Sequence, residues 1–166
     1  DKKDKMFSAR LPSAKLFKDV IDVLKNLVTE GNFALSKTGI FFQGMDGSHV
    51  SMVNLELLEH GFDVFECTKN FVLGMSLNSL DKILKIVNDD DILTLQAKQT
   101  DDKLTILVES VDQRSIEEYK VSLMDFDETN ISIPENEYSN LVHMSSDYFQ
   151  LQCKKMSVLG DTITIK

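Results

Sequence analysis

Between Phe71 and Glu109 the spacing of apolar positions passes through three patterns. Phe71 to Leu77 is a short apolar run and predicts a strand. Leu80, Ile83, Leu84 and Val87 then recur at i, i+3, i+4 and i+7, one face of a helix. Ser79 offers a hydroxyl to cap its first turn, and Asn88 with Asp89-Asp90-Asp91 ends it. Ile92–Ala97 and Leu104–Val108 alternate and meet through Thr100-Asp101-Asp102, a hairpin signal. The unit is strand, turn, short helix, hairpin.

The same order opens the chain. Phe7–Leu11 reads as a strand, Pro12-Ser13 as the turn, and Leu16, Phe17, Val20, Leu24 and Leu27 as the helix face. A hairpin follows, Phe33–Ser36 and Ile40–Phe42 around Lys37-Thr38-Gly39. A third start predicts a strand at Leu141–Met144, a helix presenting Phe149, Cys153 and Met156, and a strand at Thr162–Ile165. Leu11, Leu77 and Met144 stand 66 and 67 residues apart, and each has a serine two positions later. Near-constant spacing of one architecture is the mark of an internal repeat. Two units predict a closed α+β domain, and the third begins a second domain of the same build.

Between the units, Gln43–His49 is a loop rich in turn formers, and Val50–Leu57 and Phe62–Phe65 read as strands. Ser115–Leu123 carries Ile116, Tyr119, Val121 and Leu123 among charges and reads as an edge strand, which needs a partner or a cover. Residues 124–137 bear Asp125, Asp127, Glu128, Glu135 and Glu137, no basic residue, and the apolar Met124, Phe126, Ile131 and Ile133. Pro134 blocks a regular central strand there. The stretch reads either as a plain acidic connector or as a docking strap. The expected layout is a tail or cloning remnant at 1–5, an amino-terminal domain at 6–122, a connector at 123–138 and the start of a truncated carboxy-terminal domain at 139–166.

Composition is that of a water-soluble globular chain, with 42% hydrophobic and 27% charged residues. No run approaches the ~20 apolar residues of a membrane helix. Cys67 and Cys153 are too far apart for CxxC chemistry and read as buried free thiols. The net charge of −9 argues against nucleic-acid binding until it is apportioned. The predicted helices 13–28, 77–88 and 146–159 hold seven lysines and four aspartates, net +3, which leaves −12 for the rest. The basic residues are Lys15, Lys18, Lys25, Lys82, Lys85, Lys154 and Lys155.

Enzyme signatures are weak. No phosphate-loop, dinucleotide, HExxH or GxSxG motif occurs. Asp46 and His49 could be a base and its orienter, with Ser48 or Ser51 as nucleophile, which defines a hydrolase alternative. Asp89-Asp90-Asp91 lacks the glycine and distal glutamate of a calcium loop, and His49, His60 and His143 share no ligand spacing. No metal or cofactor is expected.

Taken together, MFSARL, DVLKNLV, GMDGSHVSMVNLEL, GFDVFEC, LNSLDKILK, LMDFDETNISIPENEYS and LGDTITI resemble the proliferating cell nuclear antigen family of eukaryotic and archaeal sliding clamps. The resemblance runs from Met6 to Lys166. It implies the DNA clamp (processivity) fold: three two-domain subunits form a ring, helices line its inner face and antiparallel sheets its outside. It implies a nuclear, non-enzymatic homotrimer that encircles duplex DNA without reading sequence and serves polymerase, clamp loader and repair clients. Lys18, Lys25, Lys69, Lys82, Lys85 and Lys154 match the family's DNA-facing basic positions. Met45, His49, Val50 and Met52, with Phe126, Ile131, Ile133 and Pro134, match the pocket and connector that receive client peptides. Ser115, Ile116, Tyr119 and Val121 match one half of the subunit interface. Asp19, where many members carry a second lysine, and Leu151, Gln152 and Lys155 depart from the family pattern. A checkpoint-type clamp subunit of a hetero-ring is the alternative within the class.

Overall fold

The computed structural model describes residues 7–127 and 137–164 and divides the chain into two compact units, Asp1–Ile131 and Ser132–Lys166. The first unit holds nine strands, two α-helices and one 3-10 turn, Glu59–Gly61, among its described residues. In order the strands and α-helices are β1 (Phe7–Leu11), α1 (Lys15–Leu24), β2 (Glu30–Ser36), β3 (Gly39–Met45), β4 (Met52–Leu58), β5 (Val64–Cys67), β6 (Phe71–Ser76), α2 (Leu77–Leu84), β7 (Ile92–Ala97), β8 (Lys103–Glu109) and β9 (Ile116–Ser122). The second unit holds α3 (Ser146–Ser157).

The strands form two antiparallel sheets, ordered β5-β1-β7-β8-β9 and β4-β3-β2-β6. The two copies of the repeat are interlocked. The first strand of copy one, β1, pairs with β7 of copy two, Phe7 opposite Ala97 and Leu11 opposite Leu93. The first strand of copy two, β6, pairs with β2 of copy one, Leu35 opposite Phe71 and Glu30 opposite Ser76. Each helix start is tied to the other helix's exit: Ala14 N–H donates to Asp91 O at 2.8 Å, and Leu77 N–H to Thr29 O at 2.9 Å. Those bonds satisfy donors that a helix start leaves open.

Each sheet buries one face, as alternation predicts for antiparallel strands. Phe33 and Leu35 of β2, Ile40 and Phe42 of β3, Leu73 and Met75 of β6, Leu93 and Leu95 of β7, and Leu104, Ile106 and Val108 of β8 point inward. The helices add Phe17, Ile21 and Leu24, then Leu77, Leu80, Leu84 and Val87, to the same core.

Four expectations are corrected. Leu16 and Leu27 are exposed, and Ile21 takes the core position instead. Phe17, Ile21 and Leu24 are i, i+4 and i+7, so the buried stripe is rotated from the one expected. The cap of α2 is Ser76 rather than Ser79: its Oγ accepts from Ser79 N–H at 3.3 Å. Leu141–Met144 is not a strand, and neither are residues 162–164; Ile165 lies outside the described residues. A strand exists by pairing, and no described neighbour pairs with either stretch. The helix between them did form, capped by Ser145, whose Oγ accepts from Tyr148 N–H at 3.3 Å.

Candidate nucleic-acid interface

Helices α1 and α2 lie side by side, joined by ion pairs. Lys25 Nζ donates to Asp81 Oδ1 at 2.8 Å, and Lys85 Nζ lies 2.9 Å from Asp81 Oδ2. Two lysines from the two copies thus meet on one carboxylate. Lys25 also reaches Asp22, one turn back on its own helix, at 2.5 Å. Lys18 Nζ donates to Val87 O at 2.5 Å and to Asp89 Oδ1 at 2.6 Å, tying α1 to the segment that follows α2. Lys15 stands 3.6 Å from both Asp19 and Asp89.

The titration directions follow from these contacts. Burial opposes ionisation of Asp81, but the bonds from Lys25 and Lys85 outweigh it and hold its carboxyl below the usual range. Lys25 is raised, first by Asp22 and then by Asp81. Asp89 is lowered, first by Lys18. The expected lysines are therefore of two kinds. Lys18 and Lys25 have side chains only 21% and 15% exposed and act as staples between the helices. Lys85 is 65% exposed, and Lys82 and Lys15 are exposed as well. With four aspartates (Asp19, Asp22, Asp81, Asp89) among five lysines, this face is only weakly positive. Three of these aspartates, Asp19, Asp22 and Asp81, were already counted on the helices in the sequence, and Asp89 joins them from the turn after α2. Of the contacts at Asp81, the i, i+4 pair with Lys85 was legible in sequence, whereas the cross-helix bond from Lys25 was not. Lys69 is exposed in the β5–β6 turn, where its carbonyl accepts the thiol of buried Cys67 at 3.0 Å. Lys154 is exposed on α3 in the second unit.

The described residues of the other predicted surfaces sit on the first unit. Met45 and Met52 are paired across the β3–β4 hairpin and half-buried, while His49 and Val50 are exposed at its tip. Asp46 builds that tip. Its carboxylate accepts Val50 N–H at 2.9 Å, Ser51 N–H at 2.6 Å, Ser48 N–H at 3.1 Å and the Ser48 hydroxyl. The Ser48 hydroxyl contributes most to holding its pKa down to about 2. Its link to His49 is a main-chain one, His49 N–H to Asp46 O at 2.9 Å. Asp46 is thus a loop organiser, which leaves the hydrolase alternative without its orienting carboxylate.

A depressed carboxyl stabilises the folded loop above the ordinary value, 3.8, and that contribution is lost as pH falls through about 2. Amide exchange at Val50 and Ser51 should stay slow down to about pH 3 in the native protein and quicken near pH 2. Asp46→Ala should show fast exchange at every pH.

Phe126 lies at the start of the expected connector, and residues 124–127 run along β6. Met124 N–H donates to Gly74 O at 2.8 Å, and Asn32 Nδ2 donates to Phe126 O at 3.3 Å. Ile131, Ile133 and Pro134 fall outside the described residues. Strand β9 closes one end of its sheet: Ile116 is exposed, Tyr119 half-buried and Val121 buried toward the core. Ser115 sits before it, exchanging backbone and hydroxyl bonds with Ser110 across the β8–β9 turn. No helix among the described residues is long and apolar enough to cross a membrane, and no three metal-ligating side chains converge there. The acidic Asp89–Asp91 run is engaged internally; Asp91 accepts Asn88 N–H at 3.1 Å.

A doubled β-α-β-β unit, with a pair of helices packed on two antiparallel sheets, defines an α+β clamp fold. The family model described as proliferating cell nuclear antigen, N-terminal domain, matches residues 6–130. The chain belongs to that family of DNA sliding clamps, whose members are non-enzymatic scaffolds of DNA replication.

Proposed function

We propose that the chain is a subunit of a homotrimeric ring that encircles duplex DNA in the nucleus and tethers replication and repair clients to it. The observation that carries this is the meeting of Lys25 and Lys85 at Asp81, which puts basic residues of both copies on one surface. In the ring that surface faces DNA, with Lys18, Lys25, Lys69, Lys82, Lys85 and, from the second domain, Lys154 toward phosphates. Contacts to phosphate carry no sequence information, as sliding requires. The acidic exterior does not prevent this, because screening hides it beyond ~10 Å.

Strand β9 supplies one half of the subunit joint through Ser115, Ile116, Tyr119 and Val121. An edge strand offers its open N–H and C=O groups to a strand of the next subunit. The connector, 123–138, follows β9 in the chain and precedes the second domain. Client peptides insert apolar and aromatic side chains beside Met45, His49, Val50 and Met52, under Phe126, Ile131, Ile133 and Pro134.

Tethering by topology has a direct test. Loaded onto nicked circular duplex, the intact protein should survive gel filtration at high salt, then run off after the circle is cut open. Equal retention on circle and linear duplex, or a stable assembly formed only with non-identical chains, overturns the reading.

A further inference from the structure

Asp81 is out of place on a face meant for phosphate. It sits in the middle of α2 with its side chain 11% exposed, and both carboxylate oxygens are engaged, Oδ1 by Lys25 and Oδ2 by Lys85. A carboxylate holding two ammonium groups on its two oxygens does what a phosphate's paired oxygens do. We propose that Asp81 is a built-in competitor of DNA: it occupies Lys25 and Lys85 until a phosphate displaces it, and so keeps the contacts of this face weak and short-lived. This rests on the clamp reading above. Asp81 is a positioning residue, since it touches the lysines rather than the DNA.

The energetics favour such a role. Lys25 keeps a second partner, Asp22, so it can turn from Asp81 without losing all pairing. Lys85 is 65% exposed and free to swing outward. Asp81 cannot follow them, because α2 fixes it and its surroundings bury it. A phosphate that captures either lysine therefore leaves a buried carboxylate less well paired, a cost incurred on each contact. A ring that holds DNA by enclosure loses nothing by this and moves more freely along the duplex.

The experiment is a salt titration of duplex binding. The whole chain, wild type or variant, is mixed with a fluorescent linear duplex, and anisotropy gives affinity from 50 to 500 mM NaCl. Each added phosphate contact steepens the log K against log salt slope by about 0.9. Asp81→Asn, which frees one or two lysines, should steepen it by about 1–2. At 0.1 M salt that is about an eightfold gain per contact, for an unchanged intercept at 1 M. Glu66→Gln on β5 makes the same change in net charge away from the helices and should leave the slope alone. Loss of a merely structural ion pair would lower the melting temperature without steepening the slope. If Asp81→Asn does not fold, Asp81→Ala is read the same way. An unchanged or shallower slope in the folded variant overturns the proposal. Lys82→Ala, whose side chain is exposed beside Asp81, separates the two failures. If it weakens binding while Asp81→Asn changes nothing, only the competitor role falls; if neither variant has any effect, the DNA-facing reading falls with it.

Discussion

Gly74→Ala should detach the connector from the body of the first domain. Residues 124–127 pass so close to β6 that a methyl at position 74 would sit 2.1 Å from Met124 O, 2.9 Å from the Phe126 ring and 3.0 Å from Asn32 Oδ1. The first of these is backbone and cannot be relieved by a rotamer change. Either β6 or the connector must move, and β6 is held along its other edge by β2 from Glu30 to Leu35. Residues 124–127 have far less to hold them: Met124 N–H on Gly74 O and the Asn32 amide on Phe126 O and Asp127 O. Overpacking of this kind costs about 1–3 kcal/mol. We expect the Met124 amide to lose its exchange protection while the core strands keep theirs. Affinity for an apolar client peptide should fall by about tenfold or more, since each ~1.4 kcal/mol is a factor of ten. Unchanged protection at Met124 would show that the glycine is incidental.

Leu80→Ala should have the largest effect on stability. Leu80 is fully buried, among Leu77 and Leu84 of its own helix and Ile21 of α1 in one continuous core. Truncating a buried leucine removes its transfer free energy and leaves a cavity, together about 2–5 kcal/mol. For a domain of this size that is a fall of roughly 8–20 °C in Tm. Calorimetry of the whole chain measures it. A fall of under about 3 °C would mean that the two helices are not a joint wall of the core. Leu16→Ala, on an exposed side chain of α1, should change Tm little.

Most of the first domain was legible because its strands each bury one face. The alternation of Phe33 with Leu35, or of Leu104, Ile106 and Val108, states which side is inward, and hairpin turns locate the partners. The repeat made the helices legible too. Their faces were harder, because α1 carries apolar residues on both sides. Leu16 and Leu27 belong to the exposed side, and only packing against α2 decides for Ile21. Ser76 was missed as a cap because the run through Leu77 looked like uninterrupted strand. The third copy could not be read by analogy with the others. In the first two copies the strand before the helix is defined by pairing with the opposite copy, and Leu141–Met144 has no such partner among the described residues.

The candidate surfaces divide the same way. His49 in its loop and the edge strand β9 lie where turn chemistry and residue type put them, whereas Val50, expected to open a strand, lies at the hairpin tip before β4. The ionic structure of the helix face was invisible, since Lys25 and Asp81 are 56 residues apart and meet only because α1 and α2 pack together. The lysines could be counted from sequence, but not which of them were already engaged.

The interlocked copies also govern synthesis. As the chain leaves the ribosome, the four-stranded sheet can assemble once β6 has emerged at Ser76. Strand β1 is flanked by β5 alone until β7 appears, some 85 residues later, and one of its edges stays unpaired meanwhile. Such distant pairing slows folding. The amino-terminal edge is therefore where a nascent chain most needs a chaperone, and where a pause in translation before Ala97 would do most harm.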